Sequence, residues 1–107
     1  MSAEPCLFCK IADKALPATI VYEDDRILAF HDIHPKAPVH LLLIPKKHIK
    51  SLLELESSDA NLMSHLLLTL PMLAKKQGLG EGFQTIVYTG KKGGQEIDHL
   101  HFHLLGG

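Results

Sequence analysis

The chain has 107 residues, 46% of them hydrophobic and 21% charged, a balance that predicts one globular domain over 1–107 rather than a disordered chain. Its net charge is −1 with histidine neutral, so nothing draws it globally to nucleic acid, and no apolar run approaches the roughly 20 residues of a membrane span. Aromatics are only 6% and Trp is missing, which leaves Leu, Ile and Val to build the core.

Residues 1–5 carry no basic region leading into an apolar stretch, so no secretory signal is expected and the cytoplasm is the predicted compartment. Cys6 and Cys9 follow at once, too close together in a cytosolic chain to suggest a structural disulfide. A short helix is predicted over 8–12, with Leu7, Phe8 and Ile11 on one apolar side. Pro17 resets the chain. Residues 19–23 and 27–30 read as a hairpin about a tight turn at Asp24-Asp25. A loop stiffened by Pro35 and Pro38 leads to the apolar run of 40–45, expected to be a strand buried on both faces.

The basic run Lys46-Lys47-His48 is a solvated loop or an anion contact. Ser57, Ser58 and Asp59 offer an N-cap for a long helix. Its stripe of Leu62, Met63, Leu66, Leu67 and Leu70 belongs to the core or to a dimer interface, and His65 among them is structural or at the surface. Pro71 is expected to kink this helix, because it removes a donor and crowds the carbonyl of Leu67. Gly78 and Gly80 are expected to end it. Residues 84–89 form a further strand, and a glycine loop over 90–94 precedes the last one. The predicted architecture is α+β: a mostly antiparallel sheet of about five strands with one long helix and one or two short ones.

The last strand carries the most chemistry. In His99-Leu100-His101-Phe102-His103 the period of two puts three imidazoles on one face and the apolar residues on the other. Such a face supports a histidine nucleophile that attacks phosphorus, or a catalytic zinc that activates water. A ladder of histidines bonded to polar neighbours is the structural alternative. Upstream, Lys91-Lys92-Gly93-Gly94-Gln95 resembles a phosphate cradle, with backbone donors near Gly94 and Gln95 positioned for phosphate charge; a plain turn is the other reading. Asp32 fits the role of a ribose-binding carboxylate, or of a loop aspartate. Cys6 and Cys9 have the spacing of half a zinc site, with His48 and His99 the leading candidates for the other half. A thioredoxin-like redox pair would need a strand before the motif, which is missing.

Together these residues resemble the signature of the histidine-triad (HIT) nucleotide hydrolases. The string from His99 to Leu105 carries the likeness, and Tyr22 to Arg26, Phe30 to Ile33, Ala37 to His40, Ile44 to Ile49 and Gly93 to Gln95 follow the same pattern in order. Within the family the chain is most similar to the nucleotide-binding proteins that act as purine nucleoside phosphoramidases. The resemblance implies a homodimer joined through the long helix and the 84–89 strand. It also implies a pocket for a purine nucleoside monophosphate, AMP or GMP, and phosphoramidate substrates. His101 is then the nucleophile on the α-phosphorus, His103 bonds the phosphate, Gln95 lies near the bridging atom and His40 belongs to the supporting polar network. Asp32 holds the ribose. Leu7, Phe8, Ile11, His31 and Ile33 line the base pocket, with Tyr88 and Gly94 beside the nucleotide.

Family members with a Cys-x-x-Cys often carry a structural zinc, which here implies Cys6, Cys9, His48 and His99, and catalysis needs no cofactor. Alternatives of the same chemistry are a dinucleoside polyphosphate hydrolase and other nucleotidyl hydrolases. A nucleotide-binding regulator with residual turnover is the alternative of another class. The chain departs from the family at Tyr88, where Asn is frequent, at His34, where Ser or Asn is common, and at Gly107, beyond which many relatives continue and shape the neighbouring pocket. Tyr88 is expected to bear on substrate preference, His34 to matter little, and the end at Gly107 to relax leaving-group specificity.

Overall fold

Antiparallel pairing organises the chain. The computed structural model describes residues 6–107; residues 1–5, on which the expectation of no leader rests, lie outside the described residues. Strands β1 (Ile20–Glu23), β2 (Ile27–His31), β3 (Val39–Pro45), β4 (Gln84–Ile86) and β5 (Phe102–Gly106) form a five-stranded sheet in the order β1-β2-β3-β5-β4. Each neighbouring pair is antiparallel. Helix α1 (Leu7–Ala12) is short and helix α2 (Ala60–Lys76) long, so the α+β expectation holds.

The register of β3 on β5 decides what each face carries. Leu41 pairs with Leu104 and Leu43 with Phe102, while His40 pairs with Leu105 and Leu42 with His103. Paired residues share a face and successive ones alternate. Leu41, Leu43, Phe102 and Leu104 therefore meet Leu66, Leu70 and Leu73 of α2 in one core cluster. Leu42 and Ile44 turn the other way and pack with Leu28 and Phe30 under Phe8 and Ile11 of α1. Burial of β3 on both sides agrees with its continuous apolar sequence.

The β1–β2 turn is tied down by Asp24. One carboxylate oxygen accepts the backbone N–H groups of Arg26 and Ile27, at 2.8 and 2.9 Å. The other accepts the Tyr22 hydroxyl at 2.8 Å and faces His65 Nε2 at 2.6 Å. His65 thus links α2 to the hairpin, a structural role. The basic run finds acidic partners: Lys46 bonds Glu23 and Lys47 bonds Asp59, at 2.7 and 2.6 Å.

Helix α2 runs as one helix through Pro71 to Lys76. The missing N–H costs one bond to Leu67, but Leu70, Leu73 and Ala74 on either side are buried and hold the turn. Leu67 is not core, being 52% exposed, and Leu68 beside it is 73% exposed. The buried line falls instead on Leu66, Leu70 and Leu73, one stripe at helical spacing. At the N-terminus, Ser57–Asp59 form a turn of 3₁₀ helix, and Asp59 accepts the Glu56 N–H at 3.0 Å rather than capping α2 with its side chain.

The C-terminus closes as a Schellman motif. Gly78, at φ +81°, donates to the Lys75 carbonyl at 3.1 Å, and Leu79 donates to Ala74 at 2.8 Å. Gly80 has no part in it. Leu79 then buries its side chain over Gly106, where a Cβ would meet both leucine methyls at 2.9 Å. Among the described residues no helix is long and apolar enough to cross a membrane.

Leu66 is fully buried between α2 and the sheet. Leu66→Ala is expected to lower unfolding stability by about 2–5 kcal/mol, read as an earlier urea midpoint with an unchanged slope. A shift of under ~1 kcal/mol would mean that this contact is not part of the core.

Candidate functional site

On the sheet face away from α2, β3, β5 and α1 enclose a cleft of about 780 Å³. One wall is apolar, from Leu7, Phe8 and Ile11. His31, Asp32 and Ile33, just after β2, form another. The floor carries Leu42, His40, His101 and His103, and Tyr88 and Gly94 stand at the far side. Every residue expected to bind the nucleotide lines this cleft except Gln95.

Gln95 points elsewhere. Its side-chain carbonyl accepts the Gly90 N–H at 2.8 Å, and its amide nitrogen donates to the carbonyls of Lys50 and Ile97, at 2.7 and 2.8 Å. With its amide engaged on both sides, it braces the 90–95 loop rather than facing a substrate atom. The backbone donors expected there are spent too: Gly94 N–H goes to Lys91 and Gln95 N–H to Gly90, inside the Lys91–Gly93 turn. Regular β4 ends at Ile86 rather than at 89. Tyr88 therefore leaves the sheet and sets its ring edge against His103, 5.4 Å between centroids.

The backbone assigns a proton to each histidine. His101 Nδ1 lies 2.6 Å from the His99 carbonyl oxygen. A carbonyl only accepts, so Nδ1 carries the hydrogen and Nε2 keeps its lone pair. The Lys36 N–H donates to His40 Nδ1 at 3.1 Å, which places the His40 hydrogen on Nε2. That hydrogen faces His103 Nδ1 at 2.9 Å, with an Asp32 oxygen at 3.3 Å. His103 accepts through Nδ1, and its own N–H is on Nε2. The result is a basic nitrogen on His101 beside a donor on His103, with ring centroids 5.1 Å apart. Lys36, whose amide orients His40, carries no sequence signal for this role. Leu42 does, since it alternates with His40.

Burial keeps the relay neutral. It pushes the His103 pKa down to about 4, helped by the neighbouring His101 and His40. It lowers His40 as well, with Asp32 opposing. Asp32 is held by the His34 N–H, which it accepts at 2.8 Å.

A second cluster lies behind α1. Cys6, Cys9, His48 and His99 bring one donor atom each within 4.8 Å of one another. His99 Nδ1 is 3.2 Å from Cys6 Sγ, 3.6 Å from Cys9 Sγ and 3.2 Å from His48 Nδ1. The edges of a tetrahedron about zinc are ~3.3 Å between nitrogens and ~3.5 Å between nitrogen and sulfur, so the spacing fits. The tautomer fits too: His99 gives its Nε2 hydrogen to the Pro45 carbonyl at 2.8 Å, leaving Nδ1 to aim a lone pair at the cluster.

Burial lowers His99 to about 4, keeping it a neutral ligand. Burial and the adjacent Cys6 raise the Cys9 thiol to about 11, a cost that a bound dication reverses. A Cys₂His₂ set is closed, with no open position for substrate. Among the described residues one other set, Asp32, His40 and His103, gathers donor atoms. There the groups already satisfy one another by hydrogen bonds.

The family described as "Scavenger mRNA decapping enzyme C-term binding" matches residues 5–107. A HIT-like protein of Synechococcus elongatus is 51% identical over 105 residues, covering 98% of this chain and 92% of its own. Protein HitA of Neisseria gonorrhoeae is 50% identical, covering 94% of each. The crystal structure of a HIT family hydrolase from Legionella pneumophila superposes with a TM-score of 0.94 at 49% identity, covering 96% of this chain and 93% of that one.

The relay makes stability depend on pH. His103 accepts its proton near pH 4 when folded, against an ordinary value of 6.5. Between those values the unfolded chain binds more protons, so stability is full above 6.5 and declines as pH falls toward 4. His40 and His99 act in the same direction. Urea titrations across this window are expected to show a falling midpoint, with a shallower decline in His103→Gln. A flat profile would contradict the assignment of neutral, buried imidazoles.

Proposed function

The chain belongs to the histidine-triad family, and from that premise we propose that it hydrolyses purine nucleoside 5′-phosphoramidates through a nucleotidyl–histidine intermediate. The observation that carries this is the His101 tautomer, with its Nδ1 hydrogen on the His99 carbonyl and its basic Nε2 in the cleft. Nucleotide hydrolysis is the coarser function that a HIT family hydrolase supports.

In the first step the Nε2 lone pair of His101 attacks the α-phosphorus, and the P–N bond breaks. The departing nitrogen takes a proton from solvent and leaves as the amine, and the water of the second step returns a proton to solvent. His103 donates its Nε2 hydrogen to a phosphate oxygen, where charge develops. Water then attacks the phosphorus, the P–N bond to His101 breaks, and the nucleoside monophosphate leaves. Asp32 accepts the ribose hydroxyls. The base lies against Leu7, Phe8, Ile11, His31 and Ile33, and Tyr88 borders the phosphate end. Gln95 contributes by holding the loop that carries Gly94.

Cys6, Cys9, His48 and His99 would hold a structural zinc, which supplies cross-linking of α1 to the sheet and no reaction chemistry. The cytoplasm, where thiols stay reduced, suits such a cluster.

Assay of AMP release from adenosine 5′-phosphoramidate tests the proposal. The wild type is expected to turn over with and without chelator wherever the fold persists, and His101→Ala to lose about 10³-fold or more. Release that needs metal while the fold survives would favour a zinc hydrolase. AMP binding without turnover would favour a nucleotide-binding regulator.

A homodimer through α2 and β4 is part of the same proposal. It is supported by the open edge of β4 and by Leu67 and Leu68 on the outer side of α2. Leu68→Glu is expected to shift the chain to monomer in sedimentation equilibrium, since it would bury a charge in an apolar contact. An unchanged dimer mass would exclude this surface.

A further inference from the structure

We infer that Phe8 is a positioning residue that couples the metal cluster to the nucleophile, so that Zn(II) and the nucleotide bind cooperatively. The inference rests on the nucleotide cleft and on zinc as the ion held by the four donors.

Helix α1 has six residues, far below the length at which a helix holds itself together in water. It depends on what grips it. At its start Cys6 Sγ accepts the Cys9 N–H at 3.3 Å, so a thiol of the cluster caps the helix and the backbone of the second cysteine is what it caps. Between them sit Leu7 and Phe8. One turn on, Ile11 joins them in the cleft wall. An ion held by Cys6 and Cys9 therefore fixes the helix that forms one side of the nucleotide site.

Two routes lead from the cluster to His101. One is the backbone: His99 ligates through its ring, and its carbonyl holds the His101 Nδ1 hydrogen at 2.6 Å. The other is packing. The buried Phe8 ring stands edge-on to His99 at 6.0 Å and to His101 at 5.1 Å, and edge-on to Phe30 at 5.6 Å. Phe8 is thus a wedge between the ligand histidine and the nucleophile, carried on the helix that the Cys6 thiol caps. Ordering this wedge is needed for both ligands. Whichever binds first meets that cost, and the second binds more tightly. Linkage makes the effect reciprocal in the two affinities.

The test uses the full chain, metal-stripped and zinc-loaded, in wild type and Phe8→Leu. AMP affinity is measured by calorimetry, and Zn(II) affinity by competition with a chelator in the presence and absence of AMP. In the wild type zinc is expected to tighten AMP binding within the range of about 5–150-fold, and AMP to tighten zinc binding by the same factor. In Phe8→Leu AMP affinity falls with and without zinc, because the ring also lines the base pocket, and the ratio between the two states moves toward one for both ligands. Equal AMP affinity with and without zinc overturns the coupling. So does a factor that Phe8→Leu leaves intact, because the ion then acts only through global folding. A chain that takes up no zinc overturns it as well. A zinc-loaded chain that binds no AMP overturns the nucleotide site itself, and the coupling with it.

Discussion

The register of β5 against β3 is the constraint on which the rest depends. With Leu42 opposite His103 and Leu41 opposite Leu104, His103 and Leu42 face the cleft while Leu41 and Leu104 face α2. A slip of one residue would drive histidines into the core and expose Phe102 and Leu104, exchanging the two faces entirely. The same register makes His40 and His103 diagonal neighbours, the arrangement in which side chains of this length reach each other across a ladder. Hydrophobic burial on one side of the sheet thus sets the polar geometry on the other.

The site is built by removing freedom from imidazoles. Each has one ring nitrogen committed to a group of fixed role: a carbonyl for His99 and His101, a backbone N–H for His40, and the His40 donor for His103. Three of these four partners are main-chain atoms, which no side-chain substitution can take away. What is left over is one lone pair toward the metal cluster, one lone pair toward the cleft, and one donor beside it. Burial holds His40, His99 and His103 below the ordinary imidazole value, and neutral imidazole is the form in which such an assignment of roles survives.

Much of this was legible in the sequence. The alternation in 99–105 located the two faces even though regular strand begins only at Phe102 and His99 sits in a bend, because the chain stays extended enough to keep its period. The Cys-x-x-Cys spacing and the Pro-stiffened loop pointed to the right neighbourhoods. Other features were not legible, and each for a physical reason. Gln95 sits beside a glycine run and suggests a substrate contact, but its amide is consumed by three backbone groups, those of Gly90 and Ile97 nearby and that of Lys50 far off in sequence. Leu67 matches the apolar pattern of its helix, and nothing in that pattern separates its outer side from the core line of Leu66, Leu70 and Leu73. Pro71 reads as an interruption, while tertiary packing of Leu70, Leu73 and Ala74 carries the helix past it. The carbonyl of Pro45 and the amide of Lys36, which orient two histidines, belong to the backbone and have no signature at all.

The contact between Leu79 and Gly106 has a bearing on how this chain can change. Leu79 follows the glycine that ends α2, and its methyls occupy the space where any side chain at position 106 would begin. Two loci far apart in sequence are therefore one steric unit. Alanine at 106 requires the Leu79 methyls to shift or a smaller residue at 79, and a smaller residue at 79 alone leaves a hole over the end of β5. In a combinatorial library the two positions should show strong epistasis, with accepted variants changing together. The glycine that closes the histidine strand is thus a record of packing at the far end of a helix, not of chemistry in the cleft.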